Sequence, residues 1–286
     1  MRFDHLLSDT EKQVLFVALI KIMKRTFILC LGILLLNVSF SQTKKWKLVW
    51  SDEFNYMGLP DSTKWSFETR GNTSGWGNNE RQFYTDANPS NALVSKGTLK
   101  IIARKETVDN KEYTSARLSS AGKAEFQYGK IEARIKLPSG TGVWPAFWML
   151  GQNRQTTSWP DCGEIDIMEH VGYEKDSVHG TIHSGAYNHV KGTQRGRAVF
   201  INNPYSKFHN YAIEWTPEKI DFFLDGKTYF TFSNEYKTKQ EWPFGQPFYM
   251  ILNLAVGGNW GGKKGIEKKI FPAAMEVDYV RVYQMQ

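Results

Sequence analysis

Three carboxylate side chains lie within six residues of an otherwise apolar segment of this 286-residue chain. The segment is 163–170, with the sequence GEIDIMEH, and its acids are Glu164, Asp166 and Glu169. In a regular strand Glu164 and Asp166 would share one face, whereas Glu169 would point to the opposite face. One extra residue, a β-bulge at 167–168, would return Glu169 to the side of the other two acids.

Acids that share a face can act together as a nucleophile and a general acid/base. They repel one another, and this repulsion separates their pKa values, so that one acid can stay protonated while a neighbour is charged. Two alternatives stay open: the trio could bind Ca²⁺, or one of its acids could be an ordinary surface residue. A transition-metal site is less favoured, because His170 would face away from Glu169 and the chain has no HExxH spacing.

The elements that must position these acids are predicted to be strands. Lys130–Leu137 alternates polar and apolar residues at every step, and Asp225-Gly226 between two strand-like runs predicts a type I′ hairpin. No long stretch after Trp46 has a sustained 3.6-residue period, so helices there should be short. We therefore predict one all-β domain over 42–286, a two-sheet antiparallel β-sandwich of the jelly-roll type.

The amino-acid composition and charge of the chain indicate which classes of binding partner are compatible with it. Aromatic residues make up 14% of the chain, and their flat rings can stack on ring-shaped ligands as well as fill a core. The formal net charge is +7, but no basic run stands out after residue 41, so the charge predicts no nucleic-acid partner. We expect a monomer that needs no cofactor for catalysis.

The first 41 residues have the pattern of an N-terminal extension followed by a signal peptide. Basic residues at 24–25 precede the apolar run Thr26–Leu36, and small residues then predict cleavage after Ser41. The run is short for a membrane span, although an uncleaved anchor is the alternative. The mature protein would be secreted or periplasmic, free of the membrane, and its one cysteine, Cys162, would be a buried filler. The start codon could be Met1 or Met23.

Several blocks of the sequence resemble glycoside hydrolase family sixteen in its bulged, laminarinase-type form. EIDIME at 164–169 resembles the catalytic signature of that family. Further matching blocks, in the same order along the chain, are WSDEF at 50–54, GWGNNE at 75–80, GVWPAFWM at 142–149, GGNWG at 257–261 and DYVRVY at 278–283. The resemblance implies a concanavalin-like jelly roll with a concave substrate cleft. It also implies retaining endo-hydrolysis of β-glucans.

The resemblance also implies a role for each acid. Glu164 corresponds to the nucleophile, Glu169 to the general acid/base, and Asp166 to a helper between them. A retaining mechanism needs one carboxylate to attack the anomeric carbon while a protonated acid assists the leaving oxygen. The sequence does not give the distance between the two carboxyl groups. The prediction that the anomeric configuration is retained therefore rests on the resemblance alone.

Aromatic residues are candidates for the sugar-binding surface. Trp144 and Trp148 would share one face of their strand, and spacing alone fits the core and the cleft equally well. The resemblance favours the cleft. Trp260, in a glycine-rich loop, would form a wall of the cleft, and Trp159 is a weaker candidate.

Polar substrate contacts follow from the same resemblance. Asn79 and Arg117 correspond to positions that contact sugar hydroxyls on the nonreducing side, with Glu80 orienting one of them. His183 would lie beside Glu169 and donate to the leaving-group sugar, although the residues alone favour a structural histidine. His179, His189 and His209 are interpreted as structural only.

A structural Ca²⁺ site is also implied by the resemblance. Asp278 would supply the carboxylate, and backbone carbonyl groups near Glu53 and Gly97 would complete the oxygen shell that Ca²⁺ prefers. An ordinary surface role for Asp278 is the alternative.

Three functions are therefore compared. The first is a secreted endo-β-1,3-glucanase that cleaves laminarin, with mixed-linkage β-1,3-1,4-glucan as a second substrate. The second is a hydrolase of the same fold that acts on a galactan of the agar or carrageenan type. The third is a carbohydrate-binding, lectin-like protein without catalysis, which the three acids disfavour because binding alone does not require them.

Overall fold

The computed structural model describes residues 8–35 and 45–286. Contacts divide the chain into two units, 1–45 and 46–286, and each is described by itself. The first unit holds one helix, α1 (Asp9–Leu35). No helix in the described ranges is long and apolar enough to cross a membrane. The predicted cleavage point after Ser41 lies outside the described residues, so the signal peptide stays a prediction.

The second unit is built almost entirely from strands. In chain order they are β1 (Trp46–Asp52), β2 (Ser66–Phe67), β3 (Gln82–Tyr84), β4 (Ala92–Ser95), β5 (Thr98–Ala103), β6 (Tyr113–Ser115), β7 (Arg117–Ser119), β8 (Glu125–Phe126), β9 (Gly129–Lys136), β10 (Val143–Gly151), β11 (Glu164–Glu169), β12 (Ser177–His183), β13 (Arg195–Phe200), β14 (His209–Trp215), β15 (Lys219–Leu224), β16 (Lys227–Ser233), β17 (Phe248–Val256) and β18 (Ala273–Met285). Three short 3₁₀ helices interrupt them, at Gly75–Gly77, Gln152–Gln155 and Lys268–Ile270.

The strands form two eight-stranded antiparallel sheets. The front sheet has the order β13-β12-β11-β10-β17-β7-β2, with β8 also paired to β17. The back sheet has the order β16-β15-β14-β9-β18-β5-β4, with β1 also paired to β18. A small parallel pair, β3 and β6, lies apart from both sheets. The predicted two-sheet antiparallel sandwich is confirmed.

The core lies between the facing sides of the two sheets. Phe147 and Ile165 of the front sheet and Ile131 and Trp215 of the back sheet are fully buried in one cluster. The ring of Trp215 meets Phe248 of the front sheet edge-on, with 5.3 Å between ring centroids. Each such side chain contributes roughly 1.5–3 kcal/mol by leaving water, and this packing anchors the strands that carry the site.

The predicted hairpin is also confirmed. Asp225 and Gly226 connect β15 to β16, and their φ angles are 49° and 76°. A type I′ turn requires positive φ at both central residues, which Asp and Gly tolerate at low cost. Leu224 and Lys227 therefore pair directly across the turn.

Candidate active site

The bulge predicted at 167–168 is present in β11. On the neighbouring strand β10, Leu150 pairs with Glu164, Trp148 with Asp166, and Ala146 with Glu169. The residue in excess is Ile167, since Met168 pairs with Phe147, the residue next to Trp148. Residues directly opposite in a sheet point to the same side, so the three acids share one face. That face is the one that carries Trp148.

Two indole groups donate hydrogen bonds to the outer acids of this row. Trp159 Nε1 donates to Glu164 Oε2 at 3.0 Å, and Trp144 Nε1 donates to Glu169 Oε1 at 3.0 Å. Asp166, between them, is almost fully buried, and its Oδ2 accepts no hydrogen bond from the described residues. An N–H donor directed at each outer carboxylate fixes its orientation while leaving its other oxygen available.

Burial raises the pKa of all three acids. It is the largest cause for each of them, because the charged form loses its water. The negative charge of Asp166 raises the pKa of Glu164 and Glu169 further, whereas a hydrogen bond with Glu164 lowers the pKa of Asp166. The row titrates as a coupled set, and it can hold protons at neutral pH that isolated carboxylates would have lost.

His183 lies at the other end of the row from the position expected for it. It pairs with Glu164 across β11 and β12, and its Nε2 lies 3.6 Å from Glu164 Oε1 and 3.4 Å from Asp166 Oδ2. The residue opposite Glu169 is His179. The expectation that His183 lies beside Glu169 is therefore wrong, because antiparallel pairing sets the end of β12 against the start of β11.

The indole groups next to Glu169 form an aromatic corner. Trp260 meets Trp144 edge-on at 5.5 Å and His179 edge-on at 4.9 Å. The ring of His179 is held in turn by Glu174, whose Oε2 lies 2.8 Å from Nε2. Trp260 thus lies against Trp144, which donates to Glu169, and its role as a wall of the cleft stays a prediction.

Arg117 is held between two indole rings. It lies on β7, on the side of the acids away from β12. Its guanidinium lies 4.5 Å from the ring centroid of Trp76 and 4.7 Å from that of Trp148. Its Nε donates to Glu68 Oε2 at 2.6 Å. Trp148 Nε1 also donates to Asn253 Oδ1 at 2.7 Å. Both predicted contact residues, Arg117 and Trp148, thus face the same side of the front sheet as the acids.

Glu80 does not orient Asn79 or Arg117 directly, contrary to expectation. Its carboxylate is buried and accepts hydrogen bonds from Gln82, Asn78 and Tyr84. Asn79 is exposed and donates to Asn259 Oδ1 at 2.8 Å. The side chain of Glu80 turns inward because Gln82 and Tyr84 supply donors there, and Glu68 is the acid that binds Arg117.

Two further residues lie at the site, although the sequence indicated one of them only weakly and the other not at all. Trp159 binds Glu164, and the ring of His189 lies 4.9 Å from Trp159 and 5.3 Å from His183. Burial lowers the pKa of His189. The five-residue spacing from Trp159 to Glu164 was the available signal for the first, whereas no local pattern marked His189. His209, by contrast, lies in β14 of the back sheet, where its Nδ1 is 2.7 Å from Asp225 Oδ2.

Among the described residues, one cluster of side chains has the ligand types and the spacing of a metal site. Glu164, Asp166 and His183 each offer a ligand atom, and these atoms lie within 4.8 Å of one another. The set leaves out Glu169, so a metal site would not account for the third acid or for its bond to Trp144. Acid/base and nucleophilic chemistry uses all three.

The positions proposed for Ca²⁺ meet at one corner of the back sheet. Strand β18 pairs with β5 at Val277 and with β1 at Val280, and Asp278 lies in the gap between these partners. Gly97 precedes β5, and Glu53 follows β1. Arg134 Nη1 donates to Asp278 Oδ2 at 2.6 Å, which leaves Oδ1 as the available oxygen. A Ca²⁺ ion would compete with Arg134 for the Asp278 carboxylate, and the metal site stays a prediction.

Cys162 has the buried, inert position expected of it. It is fully buried and free, and burial raises the pKa of its thiol to about 11. A thiol with so high a pKa is a poor nucleophile at neutral pH.

Comparisons with known proteins agree with this geometry. The family model described as "Glycosyl hydrolases family 16" matches residues 79–281. A beta-glucanase of Rhodothermus marinus is 55% identical over 247 residues, which are 84% of this chain and 85% of that protein. A glucan endo-1,3-beta-glucosidase of Cryptopygus antarcticus is 39% identical, with coverage of 82% and 91%.

A solved structure shows the same fold. The X-ray structure of the laminarinase from Rhodothermus marinus superposes with a TM-score of 0.82 at 52% identity, and the match covers 85% of this chain and 99% of that one. The match extends over nearly the whole second unit, which includes the strands that carry the acids. The row of three acids on a bulged strand, the sandwich and these likenesses lead to one assignment: the chain belongs to glycosyl hydrolase family 16.

Proposed function

We propose that this glycoside hydrolase is an endo-β-1,3-glucanase that cleaves internal bonds of laminarin-like chains. One observation carries the proposal: Glu164, Asp166 and Glu169 share a face of the front sheet, between the indoles of Trp159 and Trp144. The names of the relatives, a beta-glucanase and a glucan endo-1,3-beta-glucosidase, support the choice of a β-1,3-glucan. Mixed-linkage β-1,3-1,4-glucan is a second substrate under the same proposal.

The mechanism is a double displacement in which each acid has a separate task. Glu164 attacks the anomeric carbon, and the bond to the leaving oxygen breaks as Glu169 gives that oxygen its proton. In the second step Glu169 takes a proton from water, which attacks the glycosyl–Glu164 ester and releases the sugar with its configuration retained. Asp166 shares a hydrogen bond with Glu164 and is the positioning residue of the pair.

The raised pKa of Glu169 suits its task. The acid must be protonated for the first step and charged for the second. Before the attack, burial and the negative charge of Asp166 raise the pKa of Glu169 and favour its protonated form, and the charges of Glu164 and Glu169 repel each other. Once Glu164 is an ester, it carries no charge, so Glu169 loses its proton more readily and acts as the base.

Polysaccharide binding is assigned to the aromatic and polar side chains beside the acids. The indoles of Trp148, Trp144 and Trp260 present flat apolar faces on which glucose rings can stack. Arg117 and Asn79 supply donors for hydroxyl groups on the nonreducing side. His183 acts near Glu164, where it contacts the nucleophile and its helper.

The substitution Glu164→Ala tests the nucleophile. We expect release of reducing ends from laminarin to fall by roughly 10³-fold or more, because no covalent intermediate can form. Glu112→Gln is the matched control, since Glu112 pairs with Arg81 on the surface and both side chains are more than half exposed. Equal activity of wild type and Glu164→Ala would remove Glu164 from this role.

Product analysis separates the competing functions. Wild type is incubated with laminarin, lichenan, agarose and carrageenan, and the anomeric configuration of new reducing ends is followed by NMR. Laminarin cleavage with β-anomer formed first supports the proposal. Cleavage of the galactans alone would identify a galactan hydrolase, and binding of laminarin without turnover would identify a lectin-like protein.

We further propose that the protein is exported as a monomer after cleavage behind Ser41. The basic and apolar runs of the first 41 residues support export and cleavage. Intact-mass measurement of the protein recovered from the secreted or periplasmic fraction should give a chain beginning at Gln42. A mass that includes the first 41 residues would contradict it.

A further inference from the structure

The edge strand of the front sheet extends the surface that carries the acids. In β12, the residues opposite Glu164, Asp166 and Glu169 are His183, Thr181 and His179. These three residues point to the same side of the sheet as the acids, because directly paired residues share a face. The next strand, β13, is paired to β12 and ends the sheet.

Three residues of β13 continue this face. Gly196 pairs with Thr181, Ala198 with His179, and Phe200 with Ser177. A Cβ atom at Gly196 would lie 2.9 Å from Thr181 Oγ1, so the two residues do face the same side. The alternate residues Arg195 and Arg197 turn away from this face.

The contacts of the two arginines confirm the alternation. The Arg195 guanidinium lies 4.6 Å from the ring centroid of Tyr187, and Arg197 donates to the backbone oxygen of Tyr229. Val199, between Ala198 and Phe200, packs against the core. The face shared with the acids thus consists of two small residues followed by one large aromatic ring.

Phe200 is an exposed ring on a fixed backbone. Its side chain is 72% exposed, although phenylalanine gains free energy by leaving water. The next residue, Ile201, is buried and its N–H donates to Asp176 O at 2.9 Å, so the end of the strand is held in place. A ring carried by a fixed backbone loses less conformational entropy on binding a ligand than a ring carried by a mobile loop.

The position of Phe200 relative to the acids identifies the side of the cleft. Strand β13 lies two strand spacings from β11, about 10 Å. Phe200 is one same-face position beyond Ala198, which is level with His179 and Glu169. Arg117 and Trp148 lie on the other side of the acids, on β7 and β10. Since Arg117, on β7, is assigned to sugars on the nonreducing side, the departing sugars extend from Glu169 the other way, toward β12 and β13.

We propose that Phe200, with the open floor at Gly196 and Ala198, forms a subsite for the departing part of the glucan. The ring stacks on a sugar unit beyond the one whose oxygen receives the proton of Glu169. This proposal rests on the endo-glucanase function proposed above. It makes Phe200 a specificity-determining residue for chains that reach past the cleaved bond.

The test compares substrates that do and do not reach β13. Phe200→Ala should lower kcat/KM for laminarihexaose roughly 5- to 20-fold, the loss expected for one aromatic contact. It should leave kcat/KM unchanged for nitrophenyl β-laminaribioside, whose leaving group carries no sugar. Phe200→Tyr, which keeps the ring, should restore hexaose cleavage. Transfer of the glycosyl group to added laminaribiose, which binds on the same side, should fall with Phe200→Ala.

Tyr236→Ala is the matched control, because Tyr236 is an equally exposed aromatic residue, 73%, outside the front sheet. Equal kcat/KM of Phe200→Ala and Tyr236→Ala on laminarihexaose would overturn the subsite. An equal loss on both substrates would also overturn it, since that would indicate a general structural effect. Failure of wild type to cleave either substrate would instead overturn the proposed function, so the two failures are distinguishable.

Discussion

At the scale of single residues, burial of the three acids lowers the stability of the folded protein. The chemistry proposed for the site requires this burial. Glu164, Asp166 and Glu169 lie side by side with little water, and burial raises the pKa of each. Buried carboxylates resist charging, so the folded protein holds protons that the unfolded chain would release. An acid that keeps its proton at neutral pH is what protonation of a leaving oxygen needs. The same property makes folding less favourable as pH rises.

Glu169→Gln should therefore be more stable than wild type above pH 5, with a difference that grows up to about pH 8. The pKa of Glu169 rises from 4.5 to about 8 in the folded protein. Between these values the folded state binds more protons than the unfolded state, so the stability of wild type falls with pH. Gln has no proton to lose and still accepts from Trp144. Chemical denaturation at pH 5 to 8 should show a gain on the order of 2 kcal/mol at pH 8.

A stability difference that does not change with pH would contradict this account. Glu112→Gln, on the surface, provides the control and should follow the pH dependence of wild type.

At the scale of the strand, the bulge decides which way Glu169 points. Ile167 has no partner on β10, and the pairs on either side of it, Asp166 with Trp148 and Met168 with Phe147, are intact. The strand can therefore lose its extra residue without changing the register at either end. Loss of a second residue would reverse the direction of Glu169, because it would then lie three positions after Glu164.

Deletion of Ile167 should thus leave a folded enzyme with measurable laminarin hydrolysis, because Glu169 still pairs with Ala146 on the same face. The deletion removes a buried side chain, so the free energy of unfolding should fall by roughly 2–5 kcal/mol. Deletion of both Ile167 and Met168 should abolish hydrolysis by turning Glu169 into the core. Reducing-end assays on both variants, with circular dichroism to verify folding, measure the effect. Activity in the double-deletion variant, or its complete loss in a folded single-deletion variant, would show that the alternation argument is wrong.

At the scale of the whole molecule, the back sheet brings together segments that are far apart in sequence. Asp278 lies between the partners of β18, close to the ends of β1 and β4, so Glu53, Gly97 and Asp278 share a corner. Asn55 is also at this corner, 3.7 Å from the point where a Cβ on Gly97 would lie. A cation held there would join the first strand of the domain to the last.

Calcium should therefore raise the melting temperature, and EDTA should lower it. Saturation at 100 times Kd adds about 2.7 kcal/mol, and each kcal/mol shifts Tm by about 2–4 °C in a domain of this size. Asp278→Asn should reduce the response, whereas Glu276→Gln, two residues away and paired with Lys136, should not. Calorimetric traces of wild type that coincide with and without calcium would exclude the site.

The local pattern of the sequence was sufficient to predict the two-sheet architecture and the orientation of the three acids. Period-two alternation predicted β9, Asp225-Gly226 predicted the hairpin of β15 and β16, and the five-residue step from Glu164 to Glu169 predicted the bulge. Each of these depends on neighbouring residues along one strand or one turn, where side-chain direction follows from backbone geometry. The sequence blocks that resemble family sixteen also predicted the family correctly.

Only the tertiary structure decided which side chains meet across strands. His183 belongs to Glu164 rather than Glu169, Trp159 donates to the nucleophile, and Glu68 rather than Glu80 binds Arg117. Exposed Phe200 likewise joins the face of the acids through two successive strand pairs. Most of these contacts depend on register between segments that are distant in sequence, such as Glu68 and Arg117, whose positions differ by 49. Register is set by the packing of the whole sandwich, which no single stretch of sequence contains.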